Sequence, residues 1–558
     1  MVPEKTELNE LNQNTDKRAS FCKNGQRCIS FITGLFILSA LVVLPIIYKN
    51  YYFDILKVKY YYYIGSVGIF IVLLAIVLIY LKIEDINRFE GKCMESIVPG
   101  RKQENASLLD RMPYIALLAF LIVAALSTVC SDYLYEAFWG NEGRYTGLFL
   151  LLIYGIAFTA ISMFGKLERW HMDAFLASSM VVCILGILDF LKIDVLHFKD
   201  LLVAEQHDMF TSTIGNINTY TAFLSLTLGA SCILFAEAKT GLRITAYFFC
   251  MMVSFVALIT GRSDNAYLSL MAIFGFAPLY LFRRMCGIRR YVVMLAGFFT
   301  SIQVVDIICQ TMSDRTYPME GLFNVLVEFS GLAYVVVALW IFVGVLYLCK
   351  RVKKENSNQA DKKIWFAWLG ILIAAAVVVI FVLIDTNVAG NGEHYGGLRG
   401  YLEFNDSWGT MRGRAWRMAM KFYSEFPFLK KLIGYGPDTF GILCTNAGFV
   451  DVVEGSRSVF DNAHNEYLQY FVTVGALGLV AYLAFLISCA VCMVKRAGDN
   501  PLVMAAFFAV FCYQAQALVN LNVPISAPVM WTLLSLGMAG CRKQDNCETK
   551  GGREEIEE

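Results

Sequence analysis

The chain has 558 residues, of which 57% are hydrophobic and 17% charged, against about 25% charged in a soluble domain. Its apolar residues gather into uncharged runs long enough to cross ~30 Å of hydrocarbon as helices. A soluble globular fold is thereby excluded, and with a net charge of +1 only the distribution of charge is informative.

The first 27 residues are polar. The run Cys28 to Tyr48 exceeds a secretory h-region and no small-residue cleavage pattern follows it, which predicts a retained first helix. Further apolar runs predict helices over 60–81, 112–130, 145–165, 172–191, 218–237, 242–260, 264–282, 290–311, 322–349, 363–384, 465–492, 501–519 and 524–540. The expected fold is an all-α integral membrane protein of about fourteen transmembrane helices, with a large extracytoplasmic loop containing an amphipathic helix. Its expected parts are a cytoplasmic tail (1–27), a bundle of eleven helices (28–385), the outer loop (386–463), three closing helices (464–541) and a cytoplasmic tail (542–558).

Charge sets the orientation. With the N-terminus inside, 31 of the 47 Lys and Arg fall in cytoplasmic segments and 8 in short outer loops. The other 8 lie in the 386–463 loop, which is too long for the positive-inside rule to apply. Clusters such as Arg283, Arg284, Arg289, Arg290 and Lys350, Arg351, Lys353, Lys354 are topology signals, not nucleic-acid sites. Both termini are expected in the cytoplasm. The sixteen cysteines fall mostly in predicted helices or cytoplasmic segments, and the five histidines show no metal-ligand spacing. Neither a structural disulfide nor a metal is expected.

The unusual residues collect on the outer side. Short loops there carry Trp139 through Arg144, Gly215-Asn216-Ile217-Asn218 and Thr260-Gly261-Arg262-Ser263. In the long loop, 410–426 reads as a helix with Arg412, Trp416, Ala419, Tyr423 and Phe426 on one stripe and Arg414, Arg417, Lys421 and Glu425 opposite. The second stripe is a solvated face. Arg412 lies on the packed face, where a cation has an anionic partner, either a protein carboxylate or a ligand phosphate. Arg262, in a tight outer turn, either snorkels to headgroups or binds an anion. His464 stands at the outer end of a helix, where the neutral imidazole is favoured. It is either a general base or an interfacial histidine bonded to a carbonyl.

Together these stretches resemble the O-antigen ligase and O-antigen polymerase family of bacterial membrane glycosyltransferases. The resemblance runs from residue 131 to about 485. A G-x-x-x-R-x-x-G turn is matched at Gly140-Asn141-Glu142-Gly143-Arg144-Tyr145-Thr146-Gly147. Gly215 to Asn218 matches a G-x-x-N-x-N with one residue fewer, and Thr260 to Ser263 a T-x-S-R with Ser after the Arg. An Arg four residues before a Trp (Arg412, Trp416), then Gly434-Tyr435-Gly436, lead to the H-N-x-x-L-Q of His464-Asn465-Glu466-Tyr467-Leu468-Gln469.

The resemblance implies transfer of a glycan from a polyprenyl-diphosphate carrier to an acceptor glycan hydroxyl, with no cofactor and no metal. The setting is the outer face of a bacterial cytoplasmic membrane, with membrane lipids and other polysaccharide assembly proteins as partners. Arg412, Arg262 and Arg144 would bind the diphosphate, since a guanidinium fork matches phosphate and stays charged. His464 would be the base. Asn216, Asn218, Asp461, Asn465, Glu466 and Trp416 would support it, with Asp461 or Glu466 orienting the imidazole. Polymerisation of lipid-linked repeat units is the favoured reading, and ligation to a lipid or protein acceptor the alternative. A flippase or transporter ranks below. It would place ionisable residues along a central path, where the sequence offers chiefly Asp306 and Asp189.

Overall fold

The computed structural model describes residues 5–91, 93–97, 107–352, 359–448, 450–453, 456–498 and 500–542. The C-terminal tail beyond residue 542 and two of the basic residues noted above, Lys353 and Lys354, lie outside them. Helices of eight residues or more are numbered here in chain order. They are α1 (Lys5–Leu38), α2 (Ile55–Phe89), α3 (Leu108–Val129), α4 (Leu148–Phe164), α5 (Arg169–Phe190) and α6 (Ile217–Glu237). Then come α7 (Gly241–Thr260), α8 (Ala266–Leu281), α9 (Met285–Thr311), α10 (Leu332–Val352) and α11 (Lys362–Asn387). After the long connecting segment, which holds α12 (Trp408–Glu425), follow α13 (Glu466–Thr473), α14 (Gly475–Arg496), α15 (Pro501–Gln516) and α16 (Ala527–Gly540).

Among the described residues, 11 helical stretches are long and apolar enough to cross a membrane. Three more apolar helices, α4, α8 and α16, have 17, 16 and 14 residues. At ~1.5 Å per residue these three fall short of the ~30 Å hydrocarbon thickness. The protein is a multi-pass helical membrane protein.

Three expected boundaries are corrected. The polar stretch before residue 28 is helical from Lys5 and continuous with the first apolar run. The expected 322–349 helix is broken into Leu322–Val327 and Leu332–Val352, with Glu328 and Gly331 in the break. The expected 465–492 helix turns sharply between Thr473 and Gly475, where Gly475 takes φ +80°. Periodicity is blind to such corners because both halves remain apolar.

The bundle is built around α6, whose residues Thr219–Ala236 are all buried. Small residues allow this. At Gly229, an added Cβ would collide with the Phe508 carbonyl of α15. In hydrocarbon, close backbone approach and interhelical hydrogen bonds hold helices together. Here Gln516 donates to Thr221 (2.9 Å), and Ser269 of α8 donates to Ser225 (2.8 Å). At the periphery, the apolar surface of α11 is almost wholly exposed, as a lipid-facing helix requires.

The segment between α11 and α13 folds into short helices and one hairpin (Val450–Val453 with Ser456–Val459). It has a small core of its own, in which Met418, Ala419 and Phe422 of α12 and Phe426 just beyond it meet Phe440, Cys444, Ala463 and Val472. It is pinned to the bundle at one corner. A Cβ at Gly434 would strike the Thr473 carbonyl, and one at Gly475 the Leu432 carbonyl, while Gly436 N–H donates to Thr473 O (2.9 Å). The Gly-x-Gly turn therefore seats directly in the bend between α13 and α14.

Candidate functional site

The turn 140–147 is held by a residue from the far side of the sequence. The Asp438 carboxylate accepts from the backbone N–H of Asn141 (2.7 Å) and of Thr146 (3.1 Å), and the Asn141 side chain donates to the Asp438 carbonyl. Burial pushes the Asp438 pKa up to about 6, against the two N–H donors and the nearby Arg144 charge. So held, the turn presents Arg144 to Asp461 in a two-point pair, with Nε and Nη2 at 2.8 and 3.0 Å from the two carboxylate oxygens.

Three residues on, His464 adopts a left-handed backbone (φ 51°), and its N–H donates to the Asn462 side chain (2.8 Å). Asn465 then caps α13 by accepting from Leu468 N–H (3.0 Å). Neither ring nitrogen of His464 meets a hydrogen-bond partner among the described residues. Burial first, and then the charges of Arg412 and Arg144, hold its pKa down to about 4, opposed by Asp461. The imidazole is therefore neutral at physiological pH.

Arg412 opens the regular part of α12. The three residues before it, Gly409, Thr410 and Met411, all have positive φ, and this coil swings the guanidinium inward to 8% exposure. Its Nη1 donates to the Gly409 carbonyl (2.6 Å), while its buried Nε has no partner among the described residues. No carboxylate of the described residues lies within ion-pair distance. Burial lowers its pKa, with Asp264 acting in the opposite sense. Asp264 itself ties the α7–α8 turn to the long segment, accepting from Tyr401 O–H (2.8 Å) and Leu322 N–H (3.1 Å). The helical stripes hold in part: Arg412, Ala419 and Phe426 are buried and Arg417, Lys421 and Glu425 exposed, while Trp416, Tyr423 and, on the stripe expected to be solvated, Arg414 are half-buried. Trp416 packs on Trp408 and Phe404, with ring centroids 5.1 and 5.9 Å away.

Strain gathers here. Of the twelve non-glycine residues with positive φ among the described residues, five are Tyr145, Thr410, Met411, Asp438 and His464. Each such residue costs on the order of 1–3 kcal/mol and persists only where the surroundings over-determine it.

Arg262 is directed elsewhere. It pairs with Asp208 (3.2 Å) and covers the Tyr317 ring (5.3 Å), beside Lys199 (4.9 Å) and Lys192 (5.6 Å). Asn216 caps α6, and Asn218 Oδ1 accepts from Ser263 and Asn265, fastening the turn that carries Arg262. Glu466 faces away from His464. Its Oε1 accepts from Tyr482 O–H (2.5 Å) and Asn522 Nδ2 (2.9 Å). Neither it nor Asp461 touches the imidazole.

Residues 319–483 match the family model described as O-antigen ligase. This segment is similar to the O-antigen ligase family. A comparison with curated proteins gives no significant match. The matched segment supplies Arg412, Trp416, Asp438, Asp461, His464 and Glu466, while Arg144, Arg262, Asn216 and Asn218 come from the preceding bundle. Sequence reasoning missed Asp438 and Asp264. Asp438 follows the Gly-x-Gly turn by two residues, and that spacing is its only signal. Asp264 lies next to the Thr-Gly-Arg-Ser stretch and was legible as a fourth polar residue in a tight turn.

Proposed function

We propose that this protein is a membrane glycosyltransferase that polymerises polyprenyl-diphosphate-linked glycan units at the outer face of a bacterial cytoplasmic membrane. The observation that carries the reading is a neutral imidazole, unpartnered among the described residues, under the charge of two arginines and inside the segment similar to the O-antigen ligase family.

The acceptor hydroxyl attacks the anomeric carbon of the donor glycan. The new C–O bond forms as the bond from that carbon to the carrier diphosphate breaks, and the diphosphate leaves with the electron pair. His464 takes the hydroxyl proton, a task for a base with no competing hydrogen bond. The leaving diphosphate requires fixed positive charge. Arg412 offers an unpartnered buried Nε, and Arg144 exchanges its carboxylate partner Asp461 for phosphate. Exchange is cheap because Asp461 is half exposed and rehydrates readily. The strained backbone at Thr410, Met411 and His464 fixes both groups before substrate arrives. Arg262, charge-paired already, supports the donor from a greater distance. The long segment and these residues lie outside and both termini inside, following the positive charge of the short loops.

The test is a reconstituted assay with lipid-linked repeat unit, comparing His464→Ala with His394→Ala. A ladder of products from wild type and His394→Ala, with none from His464→Ala, is expected. Normal ladders from His464→Ala would remove the base. A single addition product in place of a ladder would favour the ligase reading. Orientation is checked by labelling Ser424→Cys and Lys239→Cys in a cysteine-free background. Only the first is expected to react from outside intact cells, and the reverse pattern would overturn the topology.

A further inference from the structure

Behind the Arg144–His464 region lies a small polar cavity that the transfer step does not use. It sits between the Asp438 turn and α13, with Asn522 closing one side, and offers about 20 Å³ to the centre of a water molecule. That is room for about one water. Four buried polar atoms on its lining have no hydrogen-bond partner among the described residues: Asp438 Oδ1, Glu466 Oε2, Gln469 Nε2 and Asn522 Oδ1. Asp438, Glu466 and Gln469 are only 3%, 1% and 8% exposed. An orphaned buried polar atom costs about 1–3 kcal/mol, so four facing one small space indicate a ligand that completes them.

The identity of that ligand follows from counting donors and acceptors. Gln469 Oε1 accepts from Ala463 N–H (3.0 Å), which turns its amide N–H toward the cavity. Asn522 Nδ2 donates to Glu466 Oε1, which turns its carbonyl oxygen inward. With both carboxylates ionised, the cavity would present three acceptors and one donor. A water donates two hydrogen bonds and accepts two, so one carboxylate oxygen would stay unmet beside a like charge. With one carboxyl protonated the count closes. Water accepts from the acid O–H and from Gln469, and donates to the remaining carboxylate and to Asn522.

The surroundings choose which carboxyl holds the proton. Asp438 has two backbone N–H donors on its other oxygen and the Arg144 charge in reach, which favours the anion. Glu466 is deeper, and the titratable groups facing it are Tyr154 of α4, Tyr467 and Tyr470 of α13, Tyr482 of α14, Tyr513 of α15, and Asp438 across the cavity. None of these is a cation.

We propose that this cavity binds one water and one proton, with Glu466 kept as the neutral acid and Asp438 as the carboxylate. A monovalent cation is the competing occupant, and the Gln469 amide N–H opposes it. The water joins Asp438, which holds the Arg144 turn, to α13, which follows His464. Glu466 is thus a positioning residue: ionising it puts two negative charges across one cavity and releases the Arg144 turn. The occupancy stands on the cavity alone, whereas its effect on activity rests on the transferase reading.

Infrared spectroscopy of the purified full chain tests the occupancy. A carboxylic acid C=O band is expected at neutral pH, shifted by D₂O exchange and missing in Glu466→Gln, where the amide N–H replaces the acid O–H. Asn522→Ala, which removes a donor to Glu466, is expected to move the band without abolishing it. This decides the matter should Glu466→Gln not fold. Absence of the band in wild type, its indifference to both substitutions, or stabilisation by Na⁺ or K⁺ over choline would overturn the proposal. In the assay, Glu466→Gln is expected to keep product within about threefold of wild type while losing the alkaline fall in rate. An unchanged alkaline limb beside an intact infrared result would leave the water site standing and refute its coupling to Arg144.

Discussion

Two polar clusters stand near the long segment, and they differ in how their charges are matched. Around Tyr317, the cations Lys192, Lys199 and Arg262 meet Asp189, Asp194 and Asp208, and Arg262 has both a carboxylate partner and a ring that it shares with the two lysines. Around His464, Arg144 has one half-exposed carboxylate, and among the described residues Arg412 has none within ion-pair distance and the imidazole has no hydrogen-bond partner. A matched cluster is complete in the protein alone. An unmatched one is complete only with an anion. Arginine count does not separate the two clusters. Partner count does.

Substitutions in the unmatched cluster are expected to act most strongly. His464→Ala should lower the rate of glycan transfer by about 10²–10⁴-fold while the protein still inserts and binds donor. A loss under tenfold would place the base elsewhere. Arg412→Ala is expected to cost about 3 kcal/mol in kcat/KM, because the fixed charge is not replaced by water in a buried site. Arg412→Lys should stay impaired, since a point charge lacks the fork, whereas Arg417→Ala on the exposed stripe should be mild. The reverse ranking of Arg412 and Arg417 would break the helical-face argument.

The pH dependence sharpens the comparison further. The His464 pKa is depressed, so its basic form is present above about pH 4 and lost as pH falls through that value. The acid limb of kcat/KM, which reports the free enzyme, is expected near there. A bound diphosphate offsets the Arg412 and Arg144 charges and raises His464 toward its ordinary value of about 6.5, so the kcat limb should lie at higher pH. Coincident limbs would show that no anion sits between the arginines and the imidazole. The smallest effect belongs to the matched cluster. Arg262→Ala should cost at most about 1 kcal/mol in thermal stability, because its partner Asp208 is 42% exposed and rehydrates. If Arg262→Ala instead removed activity as fully as Arg412→Ala, the division into matched and unmatched clusters would fail.

Much of this was legible in the sequence, each part for a local reason. Long apolar runs determined the membrane class, because length and hydropathy are properties of the segment itself. Period also determined which face of α12 is buried, and so exposed Arg412 as a cation on the wrong side. His464 stood out by its place just before a helix. Tertiary structure alone decided the rest. Arg144 and Asp461 are 317 positions apart and Asn141 and Asp438 are 297 apart, distances at which no periodicity operates. Glu466 belongs to the same motif as His464 yet turns toward Tyr482 and Asn522, because it opens α13 while His464 precedes the helix in a left-handed conformation. Sequence thus determined which residues were unusual. Which of them already had partners was decided by the packing of the long segment against the bundle, since a charge is satisfied in space and not along the chain.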